Sequence, residues 1–137
     1  MIETEKQIIG SILMDNECIG KVYGKLKPEM FVNPLYADAY QKMLAMYDMS
    51  EQITVVALQN ALESNINDKT SISKALIECA KETDSSAFID HCANELISEY
   101  KSKQVQKLFG ATSYLPKDID FSIGYLITEL EAMRENR

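Results

Sequence analysis

One histidine, His91, and three cysteines, Cys18, Cys79 and Cys92, are the side chains in this 137-residue sequence best suited to metal or nucleophilic chemistry. A helical metal bundle needs Glu-x-x-His pairs on facing helices, and a single histidine preceded at that offset by Phe88 supplies none. The cysteines are odd in number, irregularly spaced and without a C-x-x-C, which argues against a disulfide framework or a zinc site. Each lies among apolar residues of a helical pattern, so all three read as inert buried thiols. The run "GKVYGKL" (Gly20–Leu26) superficially resembles a phosphate loop. Its glycines are four apart rather than five, however, and Leu26 stands where a Ser or Thr would hold magnesium. Glu129, Glu131 and Glu135 look like an ordinary solvated helix face. No Ser-His-Asp or Cys-His spacing is present. The expectation is a chain with no catalytic, cofactor-binding or metal site, and not an enzyme.

The formal charge is −7, from 21 acids against 14 bases. A domain that grips phosphate backbone alone shows the opposite balance. Lys101, Lys103 and Lys107 are the nearest thing to a basic cluster, and they read as a solvated helix face. No apolar run approaches the roughly 18–20 residues that span a bilayer, so no membrane partner is expected. The N-terminal "MIETEKQ" carries acids where a signal peptide carries lysines. A cytoplasmic protein is the simplest reading.

The elements that would position these residues are helical throughout. Thr4 and Gln7 have capping-box spacing, with Ile8, Ile9, Ile12 and Leu13 behind them on one face. "DNE" (Asp15–Glu17) restarts a helix bearing Ile19, Val22, Tyr23 and Leu26, which Pro28 ends before a turn that delivers Phe31 to the core. Asn33 as cap and Pro34 at the first helical position open the next helix, with Tyr36, Tyr40, Met43, Leu44 and Tyr47 at its inward steps. Thr54 caps a helix that turns Val55, Leu58 and Leu62 inward. "KETDSSA" marks the main composition break. Beyond it Ile89, Cys92, Ala93, Leu96, Ile97 and Tyr100 line a helix roughly 40 Å long if it continues to Ser113. Pro116 breaks it, and Ile119, Ile123, Leu126, Ile127, Leu130 and Met133 stripe the last helix. The fold class expected is all-α: a compact bundle of short helices over 1–82, then a long antiparallel helical hairpin over 86–137.

The aromatic residues are unevenly placed. Phe109, Tyr114, Phe121 and Tyr125, four of eleven, fall within 17 residues around the expected hairpin turn. Phe121 and Tyr125 project about 200–240° from Ile119, away from the main stripe. Two readings fit. The rings fold over the tip and close the hairpin, or they form a protein–protein surface, most simply hairpin against hairpin.

In "ETEKQIIGSILMD", Glu5, Ile8, Ile9, Gly10 and Leu13 resemble the opening of the N-terminal domain of bacterial replicative DNA helicases, the DnaB family. Leu26, Pro28, Phe31, Tyr40 and Tyr47 in "LKPEMFVNPLYADAYQKMLAMY" match that family's next segment. "ITVVALQNAL", "DSSAFIDHCANELISEY" and "DIDFSIGYLITELE" are similar to later ones, so the resemblance runs essentially end to end. Gln52 and Thr54 replace the usual Pro and Asp, Cys92 replaces a common aromatic, and "NINDKTS" lacks the usual Gly-rich turn. These departures mark a divergent member.

The resemblance implies one DnaB-like N-terminal domain, whose work is subunit association in a hexamer collar and docking of primase or a helicase loader during DNA replication. ATP, Mg and DNA would be engaged only through a motor domain beyond this chain. Three alternatives stay open: a primase helicase-binding domain, a stand-alone phage-type loader or replication adaptor, and a nucleic-acid-binding module. The self-association or partner-binding candidates are Phe109, Tyr114, Phe121 and Tyr125. Gly10, which should cost about 0.5–1 kcal/mol inside a helix, is expected to let another bundle helix cross closely.

Overall fold

The computed structural model describes residues 2–62, 69–112 and 127–134. Five α-helices and three short 3-10 segments follow one another, with no strand among the described residues: α1 (Ile2–Met14), α2 (Pro34–Asp48), α3 (Val55–Leu62), α4 (Lys69–Glu82) and α5 (Ile89–Thr112). Residues 127–134 are also helical. The fold is all-α. The chain divides into two compact units, Met1–Leu96 and Ile97–Arg137. The turn of the hairpin expected over 86–137, and most of its second limb, lie outside the described residues.

In the first unit, α1 is the central helix and packs chiefly against α4. Glu5 and every residue from Ile8 to Ile12 are buried. Five consecutive buried positions enclose a helix on all sides, rather than along one stripe. Complete burial of Ile8, Ile9 and Ile12 contributes about 1.5–3 kcal/mol each. α2 buries Tyr36, Ala39, Tyr40, Met43 and Met46 at three-to-four-residue steps. Phe31 stacks on Tyr40 with ring centroids 5.0 Å apart, and the Tyr40 hydroxyl donates to the Leu26 carbonyl at 3.0 Å. A buried phenol thus has its partner.

The local start signals at α2 and α3 act as their chemistry predicts. Asn33 Oδ1 accepts from the Leu35 and Tyr36 amides at 2.9 and 3.4 Å, and Thr54 Oγ1 from Ala57 N at 3.1 Å. α2 ends in a Schellman motif: Glu51 N donates to Met46 O at 2.8 Å and Ser50 N to Tyr47 O at 3.1 Å. Ser50 holds φ 56° there, a left-handed conformation usually taken by glycine.

Other local expectations are corrected. α1 begins at Ile2, so Thr4 and Gln7 lie inside it and form no capping box. Both side chains turn instead to the start of α5: Thr4 Oγ1 donates to Glu95 Oε2 at 3.5 Å, and Gln7 Oε1 accepts from Cys92 Sγ at 3.1 Å. "DNE" opens a 3-10 helix, Asn16–Lys21, rather than an α-helix. The Asn16 side chain is drawn into tertiary bonds instead of capping. Tyr23 is exposed rather than core, its hydroxyl bonded to Asp48.

Candidate interaction surface

Three polar or backbone-level contacts set the first unit's geometry. The first is at Glu5, a buried carboxylate inside α1. Its Oε1 accepts from Asn33 N and its Oε2 from Val32 N, each at 3.1 Å. The two amides precede α2, so α1 anchors the start of that helix. A carboxylate taking two backbone N–H bonds offsets much of the penalty of its burial.

The second is at Gly10. A Cβ there would lie 2.2 Å from the Cys79 carbonyl oxygen and 2.0 Å from Thr83 Oγ1. The Thr83 hydroxyl itself donates to Cys79 O at 2.7 Å and so satisfies a carbonyl in the last turn of α4. Backbone meets helix face at this crossing with no room for a side chain.

The third is at Asn16. Its Nδ2 donates to Ile12 O at 2.8 Å and Ile53 O at 3.0 Å, and its Oδ1 accepts from Ile53 N at 2.8 Å. This one side chain ties the end of α1 to the segment before α3.

On either side of Asn16, Gln52 and Ile53 lie two adjoining hollows. One, of about 580 Å³, is also lined by Glu17, Tyr47, Ser50 and Glu51. The other, of about 530 Å³, is walled by Leu13, Met14, Asp15, Thr54, Val55 and Ala80. Neither has a lysine or arginine in its wall.

The start of α5 is held by polar links as well. Lys25 bonds Asp90, and also donates to Asn94 Oδ1 at 2.9 Å. The Lys25 ammonium holds the Asp90 carboxyl below its ordinary range. His91 is exposed and faces Glu95 Oε1 at 2.9 Å, an ordinary i,i+4 surface pair.

All three cysteines are free and buried. Burial raises the pKa of each thiol, that of Cys18 to about 11. Protonated, enclosed thiols are poor nucleophiles and poor metal ligands. Among the described residues no group of three His, Cys, Asp or Glu could hold a metal ion.

Of the candidates named from sequence, Gly10 sits at the α1–α4 crossing and Phe109 stands on α5 with 55% of its surface exposed. Tyr114, Phe121 and Tyr125 lie outside the described residues. Lys103 and Lys107 are exposed and Lys101 half-buried. Leu108 is buried, while Ile127 and Leu130, expected in the hairpin seam, stay 51% and 37% exposed. Sequence reasoning missed Asn16. It recorded Glu5 only as a point of family resemblance, since the carboxylate's amide partners lie 27 and 28 residues away.

Helices with no strand among the described residues define an all-α fold. Residues 1–98 match the family described as the DnaB-like helicase N terminal domain. The chain belongs to that family, the N-terminal, non-motor part of DnaB-like helicases. It is similar in fold to the crystal structure of the N-terminal domain of DnaB helicase from Mycobacterium tuberculosis, with a TM-score of 0.81 at 15% identity over 96% of each chain. No curated protein matches the chain. No helix among the described residues is long and apolar enough to cross a membrane.

Proposed function

We propose that this chain is the assembly and docking domain of a DnaB-like replicative helicase. It associates with further copies of itself in a hexamer collar and holds primase or a helicase loader during DNA replication. ATP hydrolysis and strand translocation belong to a separate motor domain, and DNA is reached only through the parent helicase. The observation that carries this reading is the family match across residues 1–98. The exposed Phe109, Ile127 and Leu130 on the second unit support it, because apolar surface of this kind is what subunit contacts bury. A stable contact of ordinary size covers about 1,200–2,000 Å² in total.

Sedimentation of the domain across a concentration series tests the reading. It is expected to self-associate, and Phe109→Ser with Leu130→Ser is expected to weaken association about tenfold or more, on the scale of interface truncations. A strict monomer at high micromolar concentration overturns the reading.

A further inference from the structure

We infer that the double hollow around Asn16 and Ile53 docks a partner's amphipathic helix bearing lysine or arginine beside its apolar face. The inference rests on the reading of this chain as a docking domain and adds a surface and a partner chemistry to it. One lobe offers an apolar wall of Leu13, Met14, Val55 and Ala80, with Met14 half-exposed. Ile77, another exposed apolar side chain, stands one turn before Ala80 on α4.

The charged residues lining the two lobes are Asp15, Glu17 and Glu51. One apolar lobe beside one polar lobe, with only acids as charged lining residues, complements an apolar strip flanked by bases and repels an acidic partner.

The floor is already rigid. Asn16 bolts Ile53 to the end of α1 with three hydrogen bonds, and the Schellman bonds hold Ser50 and Glu51 in place. A preformed trough loses little freedom on binding. Helix-in-groove recognition uses this combination of apolar anchors and flanking charges.

The test uses the whole chain and two fluorescein-labelled helical peptides of equal length, one of leucine and lysine, the other of leucine and glutamate. Fluorescence anisotropy is expected to show binding of the lysine peptide and not of the glutamate one. Amide shifts are expected at residues 13–17 and 50–56. Glu17→Lys with Glu51→Lys should weaken binding about tenfold. Glu29→Lys with Glu131→Lys, which changes net charge equally at exposed positions elsewhere, should leave binding nearly unchanged. Met14→Glu should weaken it without unfolding the chain, because Met14 is 49% exposed.

Equal losses from both lysine pairs, equal binding of both peptides, or shifts elsewhere on the surface would overturn the proposal. So would loss of self-association in the Glu17→Lys, Glu51→Lys variant, which would make a second copy the occupant. Sedimentation of the unaltered chain reads the assembly proposal separately. A monomer that still binds the lysine peptide at this trough keeps the groove and discards the assembly.

Discussion

α1 and the second half of α5 both carry apolar residues at helical spacing, yet they are used in opposite ways. Within α1, Glu5 and Ile8 through Ile12 are all buried, and the buried carboxylate has two amide partners. Over residues 97–109, Leu108 is the buried side chain, Ile97, Tyr100 and Val105 are half-buried, and Phe109 is largely exposed. The first helix is enclosed from Ile8 to Ile12 and exposed at its two ends. The second keeps most of its apolar side chains half-buried or exposed. Enclosure makes a helix intolerant of substitution, whereas partial exposure makes it tolerant in isolation and sensitive in assembly.

Substitutions graded by size would break or sharpen that contrast. Gly10→Leu is expected to be the most damaging. A branched side chain would have to displace the α4 backbone at Cys79, and the loss should exceed about 3 kcal/mol, beyond ordinary overpacking. Thermal denaturation should then fall by roughly 10 °C or more. An unchanged melting temperature would show that the crossing is not as tight as its geometry implies.

Glu5→Ala comes next, at about 2–4 kcal/mol, since it removes the acceptors of the Val32 and Asn33 amides and empties a fully buried position. Glu5→Gln, which keeps one acceptor, should lose about half as much by chemical denaturation. Equal losses would mean that packing rather than the two hydrogen bonds holds the position.

Ser50→Gly should raise stability by up to about 1 kcal/mol, because glycine takes the left-handed conformation without strain. The same variant reports on the trough, whose floor Ser50 helps to form. Phe109→Ser should be the mildest, within about 0.5 kcal/mol in a dilute sample. A large loss of stability there would place Phe109 in the interior economy of its unit and remove the contrast with α1.

The helical class and most of the inward faces were legible because they depend on periodicity. Leu58, Leu62, Ile89, Cys92, Ala93 and Leu96 all recur at helical spacing and all are buried. The caps at Asn33 and Thr54 were legible because a side-chain acceptor and the amides it serves sit within three residues. The same local logic failed at Thr4 and Gln7, where the helix starts earlier and the side chains answer to α5. It failed again at Asn16, where a turn residue was read for its neighbours and not for Ile53. Both failures have one cause: a polar side chain with a distant partner looks the same in sequence as one with a local partner.

By itself, then, the order of residues determined which segments become helices, which sides of them are apolar, where α2 and α3 begin, and which family the opening motif resembles. Each of these is decided within about one or two turns of chain. Only the tertiary structure decided that Glu5 holds the start of α2, that Asn16 joins α1 to Ile53, and that Gly10 faces a carbonyl of α4. Those pairings unite residues far apart in sequence, and their adjacency exists only once the helices have packed.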